Sequence, residues 1–556
     1  MNRQLNALFA LLTLSILTTL PQASVATDLV VDLCAKADPG DRISGVLVER
    51  SKGQWVIVSR GRRTTIDEAE FEPCPERNDT IIVRPPRAGP VIAQPGLEKP
   101  NPVVPVLPGP VIGDIEEVTF EGSSTVGVGV LPYIVKGYAK TVGATVTAVR
   151  EQALFSGGGP GTYELYGVDK SKPFLRVTIT PNGSNNAFAA MLGKRATVGL
   201  SSRPFSDPEI DRLLQLADDG KRKREQVERV VALDAIVIIA NLSNPIQSLE
   251  ICDIAKMFSG KIRDWKEVGG PRQTVVPYVL TETSGTYQLF RQILDENCHE
   301  TVSSSAVPNA TWKDLADGVA ADPGAIGFAA LTVVPPSIRP LAIKGKCGIE
   351  QLPSHFTVKA EDYPLSRRLF LYTPFTLGRY GQTLLDYSTT PAAQENIKQG
   401  QALDQQIETE MGGKPMRTVI RDVELERDDN AQREFDRDTR GAERLSLTYR
   451  FKSNSDEIDT KANQDIARLA SYFQSHPTPR TVLLAGFADS TGPAAVNKDL
   501  ALKRANVVRD TLTSVGAKLQ VGSIEVKTYG EISPVACNDS DIGRARNRRV
   551  EVWVKP

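Results

Sequence analysis

Two hydrophobic rhythms organise the end of the chain. Alternating apolar and polar residues predict strands at Leu445 to Phe451, Thr481 to Gly486, near Ile524 to Tyr529 and at Val550 to Val554. Between them the roughly 3.6-residue period predicts a helix from about Thr460 to Ser475 and a second after the turn "ADSTG", giving the order β-α-β-α-β-β. Projected at roughly 100° per residue, the second helix gathers Val496, Leu500, Ala501, Ala505, Val507, Val508 and Leu512 on one half. Lys498, Asp499, Lys503, Asn506, Arg509 and Asp510 fall on the other. Arg504 breaks the pattern: it lies amid the apolar half, nearly beneath Asn497. A guanidinium there needs acceptors, because a desolvated, unpaired charge is costly. A buried structural carboxylate is one answer. Asp489 offers another, since it sits in a turn with Ser490, Thr491 and Gly492 just ahead of this helix. A carboxylate and a guanidinium opposed across a small cleft suit a zwitterion, its carboxylate clamped by Arg504 and its amine held by Asp489.

Upstream, residues 116–400 read as mixed α and β, with glycine-containing turns joining short apolar strands to helical stretches. Three of those turns carry small hydroxyl residues where a helix should begin: Gly122, Ser123, Ser124 and Thr125; Gly183 and Ser184; Ser284, Gly285 and Thr286. Each alone reads as an N-cap. Three together point to an anion pocket, because the same backbone N–H groups and helix dipole attract negative charge. Residues 27–84 alternate β-branched residues with turns and predict a small β unit, while 85–115 is a proline-rich, semi-rigid spacer. Residues 401–444 are expected to be a linker, of which 421–444, dense in both charges, predicts a solvated segment or exposed helix. There is no internal repeat.

At 556 residues the chain is long enough for about three domains. Its 66 basic and 67 acidic residues leave a net charge of -1, which gives no electrostatic case for nucleic acid. Only three histidines are present, so a histidine-based metal site is not expected, and no cofactor is implied. Residues 1–26 combine Arg3, an apolar run from Leu8 to Leu20 and the small pair Ser24 and Ala26, the pattern of a cleaved secretory signal. Export would expose the six cysteines to an oxidising compartment. The expected bridges are Cys34 with Cys74, which bracket one small segment, and Cys298 with Cys347. Catalysis is a competing class. A serine nucleophile needs a positioned base, and His299, His355 and His476 stand in no triad context; a phosphoester hydrolase is thus the weakest of the readings.

The succession A-D-S-T-G, Asn497, L-A-L-K-R-A, Y-G-E and N-R-R-V-E-V resembles the OmpA-like C-terminal domain over about 445–556. That resemblance implies non-covalent binding of peptidoglycan through the diaminopimelate of its stem peptide. Asp489 and Arg504 would hold the diaminopimelate and Asn497 would support them, while Arg548 and Arg549 would contact ligand or stabilise the fold. The histidine frequent in the family after the glycine is Phe487 here, a change expected to alter packing.

The three hydroxyl turns, together with "VGLSSRPFSDPEI", "LDAIVIIANLSNPI", "IAKMFSGKIRDWKEVGG", "GAIGFAAL" and "YPLSRRLFLYT", resemble type II periplasmic binding proteins of the PstS phosphate-binding kind over about 117–400. The implied fold is two α/β lobes closing on a ligand, with Ser124, Thr125, Ser184, Ser284, Gly285 and Thr286 in the pocket. The family's arginine four positions before the serine of S-G-T is Leu280 here. Where some members carry an aspartate, this chain has Ser202 and Arg203, and Arg203 either restores a pocket charge or lies on the lobe surface. The fold class expected is thus a two-lobed α/β module, a C-terminal α+β domain and a small N-terminal β unit. The function expected is oxyanion binding, phosphate foremost, at the peptidoglycan of the periplasm, with outer-membrane association and an ABC transporter of the inner membrane as candidate associations. The alternative is a structural or adhesive wall protein whose lobes have lost or changed ligand.

Overall fold

The computed structural model describes five strands between residues 29 and 73, and residues 115–555 apart from 156–158, 168–169, 171, 218–219, 283, 412–428 and 515–518. Residues 1–26, expected as a secretory signal, and most of the proline-rich spacer lie outside the described residues. In the N-terminal unit, strands Leu29–Ala35, Arg42–Ser51, Gln54–Ser59, Arg62–Asp67 and Phe71–Pro73 form one antiparallel sheet. Its order is fourth, third, second, first, fifth. Among the described residues no helix is long and apolar enough to cross a membrane.

The second unit holds two lobes built on one connecting strand. Glu228–Asn241 is buried along almost its whole length, as "ERVVALDAIVIIAN" requires of a strand covered on both faces. Its first half pairs antiparallel with Ser366–Tyr372, and its second half pairs with Ala325–Ala330. The pairing changes hands after Asp234 and Ala235, so those residues lie where one lobe passes into the other. In the first lobe Glu116–Gly122 runs parallel to both Pro173–Pro181 and Val198–Ser201, which brings three carboxyl ends to one edge. The apolar core there includes Val118, Phe120, Ile134, Tyr163, Val177 and Leu371. The second lobe packs helices Ile251–Ser259, Gly285–Cys298 and Trp312–Ala321 around Ile238, Phe258, Trp265, Phe290 and Phe328. Trp265 is fully buried and donates to Gly324 O at 2.9 Å, which makes it a core residue.

The C-terminal sheet runs in the order Thr409–Met411, Glu443–Arg450, Arg549–Val554, Thr478–Phe487, Val521–Thr528. Helices Thr460–Ser475 and Ala494–Ser514 cover one face, where Leu445, Leu447, Leu469, Val482, Leu484, Val508 and Val552 meet. The period-2 alternation turns Leu483, Ala485 and Phe487 to the opposite face. There the charged stretch takes the second of its two expected forms, a helix, Asp429–Thr439, but one docked on the sheet: its Phe435 ring packs edge-on to Phe487, Tyr529 and Trp553. Thr409–Met411, also expected in the linker, is an edge strand of the sheet. A short helix, Asp541–Asn547, was not foreseen either.

This domain is docked on the second lobe. Asp362, almost wholly buried, meets Arg444 at 2.8 Å and Arg450 at 2.9 Å, and Arg546 donates to Pro364 O at 2.5 Å. Arg368 contacts Glu361 and, across the seam, Asp459, at 2.5 and 2.6 Å. The disulfide Cys347–Cys537 closes the same seam covalently. The other described bridge is Cys252–Cys298, which joins two adjacent helices. Cys298 and Cys347 therefore each have another partner, and the expected Cys298–Cys347 bridge is corrected. Sequence spacing fails here because proximity in the chain does not report which cysteines the fold brings within bonding reach. The Cys34–Cys74 expectation lies outside the described residues.

Candidate functional site

In the first lobe, the edge of three strand ends feeds the hydroxyl turns. Gly122 has φ +136°, and a Cβ there would lie 2.2 Å from Leu200 O, so only glycine fits. Its carbonyl accepts from Asn182 N and Gly183 N at 2.8 and 2.7 Å, while Ser123 N donates to Leu200 O at 2.8 Å. These bonds stitch the turns of three separate strands together. Ser123 caps helix Ser124–Gly129, accepting from Val126 N at 3.4 Å, which leaves Ser124 and Thr125 to open the helix itself. Ser184, at the start of helix Ser184–Leu192, accepts from Ser202 N at 3.1 Å and lies 3.0 Å from the Ser202 hydroxyl. From the second lobe, Ser284 caps helix Gly285–Cys298 through Tyr287 N at 3.4 Å, and Thr286 is buried in its first turn. The two lobes approach closely at this point: a Cβ on Gly183 would be 3.9 Å from Gln288 Oε1.

The cations of this region are differently placed. Arg203 is held at both terminal nitrogens by Glu209, at 3.0 and 2.9 Å, and donates to Asn185 Oδ1 at 3.3 Å. The Arg203 pairing, followed by bonds from Ser206, holds the Glu209 carboxyl down at about 2 despite its partial burial. Arg203 is thus already engaged by a carboxylate. Leu280 is buried with the apolar core of the second lobe. Arg367 was not singled out from the sequence. It opens strand Ser366–Tyr372, opposite Asp234 on the connecting strand, and binds Asp234 Oδ2 through Nε at 2.9 Å and through Nη2. Nη2 also donates to Thr125 Oγ1 at 3.3 Å. The available signal was the pair of arginines in "YPLSRRLFLYT", a charge at the mouth of an otherwise apolar strand.

In the C-terminal domain the buried positions of helix Ala494–Ser514 are Asn497, Ala501, Arg504, Ala505, Val508 and Leu512. Their helical spacing places Arg504 on the core face, as its sequence position requires, whereas Val496 is exposed. The acceptors for Arg504 are main-chain carbonyls: Nε donates to Ser455 O at 2.9 Å and Nη2 to Lys452 O at 3.0 Å. The guanidinium also lies 5.3 Å from the centre of the Phe451 ring. Burial, followed by the charge of Arg548, lowers the Arg504 pKa to about 10, which leaves it cationic at neutral pH. Asp489 accepts from Thr491 N at 2.9 Å and pairs with Arg548 Nη1 at 2.6 Å. Asn497 Nδ2 bonds Asp489 O at 3.2 Å and Glu531 Oε1 at 2.8 Å, fixing the turn to the helix. The structure therefore brings Asp489, Asn497, Arg504 and Arg548 into one cluster. Arg549 is separate: it binds Glu551 Oε1 at 2.8 Å and Ser533 O at 2.7 Å, and lies 4.0 Å over the Phe487 ring. Arg549 and Phe487 thus support the fold together.

Comparison with known proteins separates the same two parts. Residues 113–392 match the model of the PBP superfamily domain, and residues 450–548 match that of the OmpA family. Outer membrane porin F of Pseudomonas aeruginosa is 36% identical over 112 residues, covering 20% of this chain and 31% of the porin. Protein SphX of Synechococcus elongatus is 26% identical over 210 residues, covering 36% of this chain and 59% of SphX. Phosphate-binding protein PstS of Staphylococcus saprophyticus is 23% identical over 211 residues, 37% of this chain and 63% of PstS. The chain thus spans less than two thirds of each of these relatives.

Proposed function

The chain belongs to the PBP superfamily and carries an OmpA-family domain, and on that footing we propose that it binds a tetrahedral oxyanion, phosphate foremost, while anchored non-covalently to peptidoglycan in the periplasm. The observation that carries this reading is the presence, in one compact unit, of hydroxyl-bearing helix starts facing one another from the two lobes and of a cluster that joins buried Asp489 and Arg504 to half-buried Arg548. Ser124, Thr125, Ser184, Ser202, Ser284, Gly285 and Thr286 supply hydroxyl and main-chain donors that suit an oxyanion without needing a catalytic base. The name of the PstS relative supports phosphate as the first ligand to test.

In the anchor, Arg504 has backbone carbonyls and no carboxylate among its hydrogen-bond partners, so its charge is left for a ligand carboxylate. Arg548 balances Asp489, and the amine of a diaminopimelate stem peptide competes for the same carboxylate. Arg548 then turns to a second carboxylate of the ligand. Docking on the anchor holds the cleft at the wall, where an ABC transporter of the inner membrane is the matching receiver.

Two measurements test this. Co-sedimentation with purified sacculi should be lost in Asp489→Ala and in Arg504→Ala while circular dichroism is unchanged; retention by both variants would overturn the wall-binding assignment. Calorimetric titration with phosphate and sulfate should show phosphate binding, and no heat with either anion would replace the solute-binding half with a structural role at the wall.

A further inference from the structure

We propose that Arg367 is the cation that holds the oxyanion in the interlobe cleft, through its Nη1 nitrogen; this rests on the oxyanion reading above. The Arg367 side chain is only 8% exposed, and Nη1 has no hydrogen-bond partner among the described residues. Leaving a charged donor buried and unbonded is unfavourable, and the cost is recovered when a ligand supplies the acceptor.

The direction of that donor follows from the bonds already made. Nε and one Nη2 hydrogen lie on the lateral edge of the guanidinium, and both reach Asp234 Oδ2. The second Nη2 hydrogen, directed to Thr125 Oγ1, lies on the terminal edge, parallel to one hydrogen of Nη1. That edge is the fork that grips two oxygens of a carboxylate or phosphate. An oxygen accepting from Nη1 therefore sits beside the Thr125 hydroxyl. Thr125 accepts from Arg367 in this arrangement, which frees its own hydrogen for the same ligand.

The support behind Arg367 is stiff. Asp234 is its cross-strand partner, its side chain is 2% exposed, and its other oxygen accepts from Ala235 N at 2.8 Å. Both residues stand where the connecting strand leaves one lobe for the other, which places the guanidinium at the junction of the two lobes. Asp234 cancels the net charge of Arg367, so the pair contributes direction more than attraction. Arg203, the other nearby arginine, has both terminal nitrogens on Glu209.

The test is calorimetric titration of the full chain with inorganic phosphate and with sulfate. Arg367→Lys keeps the charge but loses the fork, and phosphate affinity should fall roughly tenfold. The pair Arg367→Gln with Asp234→Asn removes the fork without stranding a carboxylate, and affinity should fall roughly 100-fold with the melting transition retained. Should that pair fail to fold, Thr125→Val, which removes the hydroxyl expected beside the bound oxygen, should weaken binding about tenfold. Wild-type binding with unchanged affinity in the Arg367 variants, or loss confined to Arg203→Gln, would overturn the assignment and leave the oxyanion reading standing. Absence of binding by the wild type would instead remove the reading on which it rests.

Discussion

Arg367 and Arg368 are neighbours on one strand, yet they serve different parts of the molecule. Successive strand residues point to opposite faces, so Arg367 turns to the cleft between the lobes and Arg368 to the seam with the C-terminal domain. All three nitrogens of Arg368 are used: Nε and Nη2 on Glu361 at 2.5 and 2.9 Å, and Nη1 on Asp459 at 2.6 Å. Arg367 spends two nitrogens on Asp234 and keeps one without a partner. A saturated guanidinium holds structure together, whereas the donor left on Arg367 is the one we propose for a ligand. The same contrast distinguishes Arg549, tied to Glu551 and Ser533, from Arg504, whose partners are neutral carbonyls.

The largest test of this contrast is at the seam. Asp362→Ala strands buried positive charge at Arg444 and Arg450 and should cost about 3–5 kcal/mol in denaturant unfolding. A change below about 1 kcal/mol would show that these charges are solvated and that the seam is not the structural device described. Replacing Cys347 and Cys537 by serine should cost about 2–4 kcal/mol and lower the melting temperature, with sacculus binding retained because Asp489 and Arg504 are untouched.

Arg368→Gln should destabilise by about 1–3 kcal/mol and leave phosphate affinity unchanged. A loss of phosphate affinity in Arg368→Gln would erase the division between cleft and seam.

The smallest effect is with pH. Burial pushes the Glu361 and Asp362 carboxyls up, but the surrounding arginines outweigh it and hold both below their ordinary range. Because their folded pKa values are depressed, their stabilisation is fully present above the unfolded value of about 4 and is lost as pH falls through the folded values. Melting temperature should therefore change little between pH 7 and pH 5 on their account and fall below about pH 4. A decline centred near pH 6 would point to other groups.

Much of the C-terminal domain was legible because its signals are local. The helix expected from Thr460 to Ser475 has those ends, its N-terminus capped by Asp459, and the strands differ from expectation by a few residues. Arg504 could be placed on the core face from the helical period alone. Helix Asp429–Thr439 was legible only as one of two alternatives because it is polar nearly all round, with Phe435 as its main apolar contact, and its docking depends on the face of the sheet it covers. In the lobes, the hydroxyl turns were visible as helix starts, but the pairing of Arg367 with Asp234 and Thr125 was not.

What the sequence determined by itself was the strongly periodic elements, their apolar faces and the residue types at their ends, because those follow from backbone periodicity and capping chemistry. What only the tertiary structure decided was partnership. Arg203 met Glu209 six residues away, Arg367 met Asp234 across 133, and Cys347 met Cys537 across 190. A charge or a thiol carries no local mark of its partner, since that depends on which elements pack against each other.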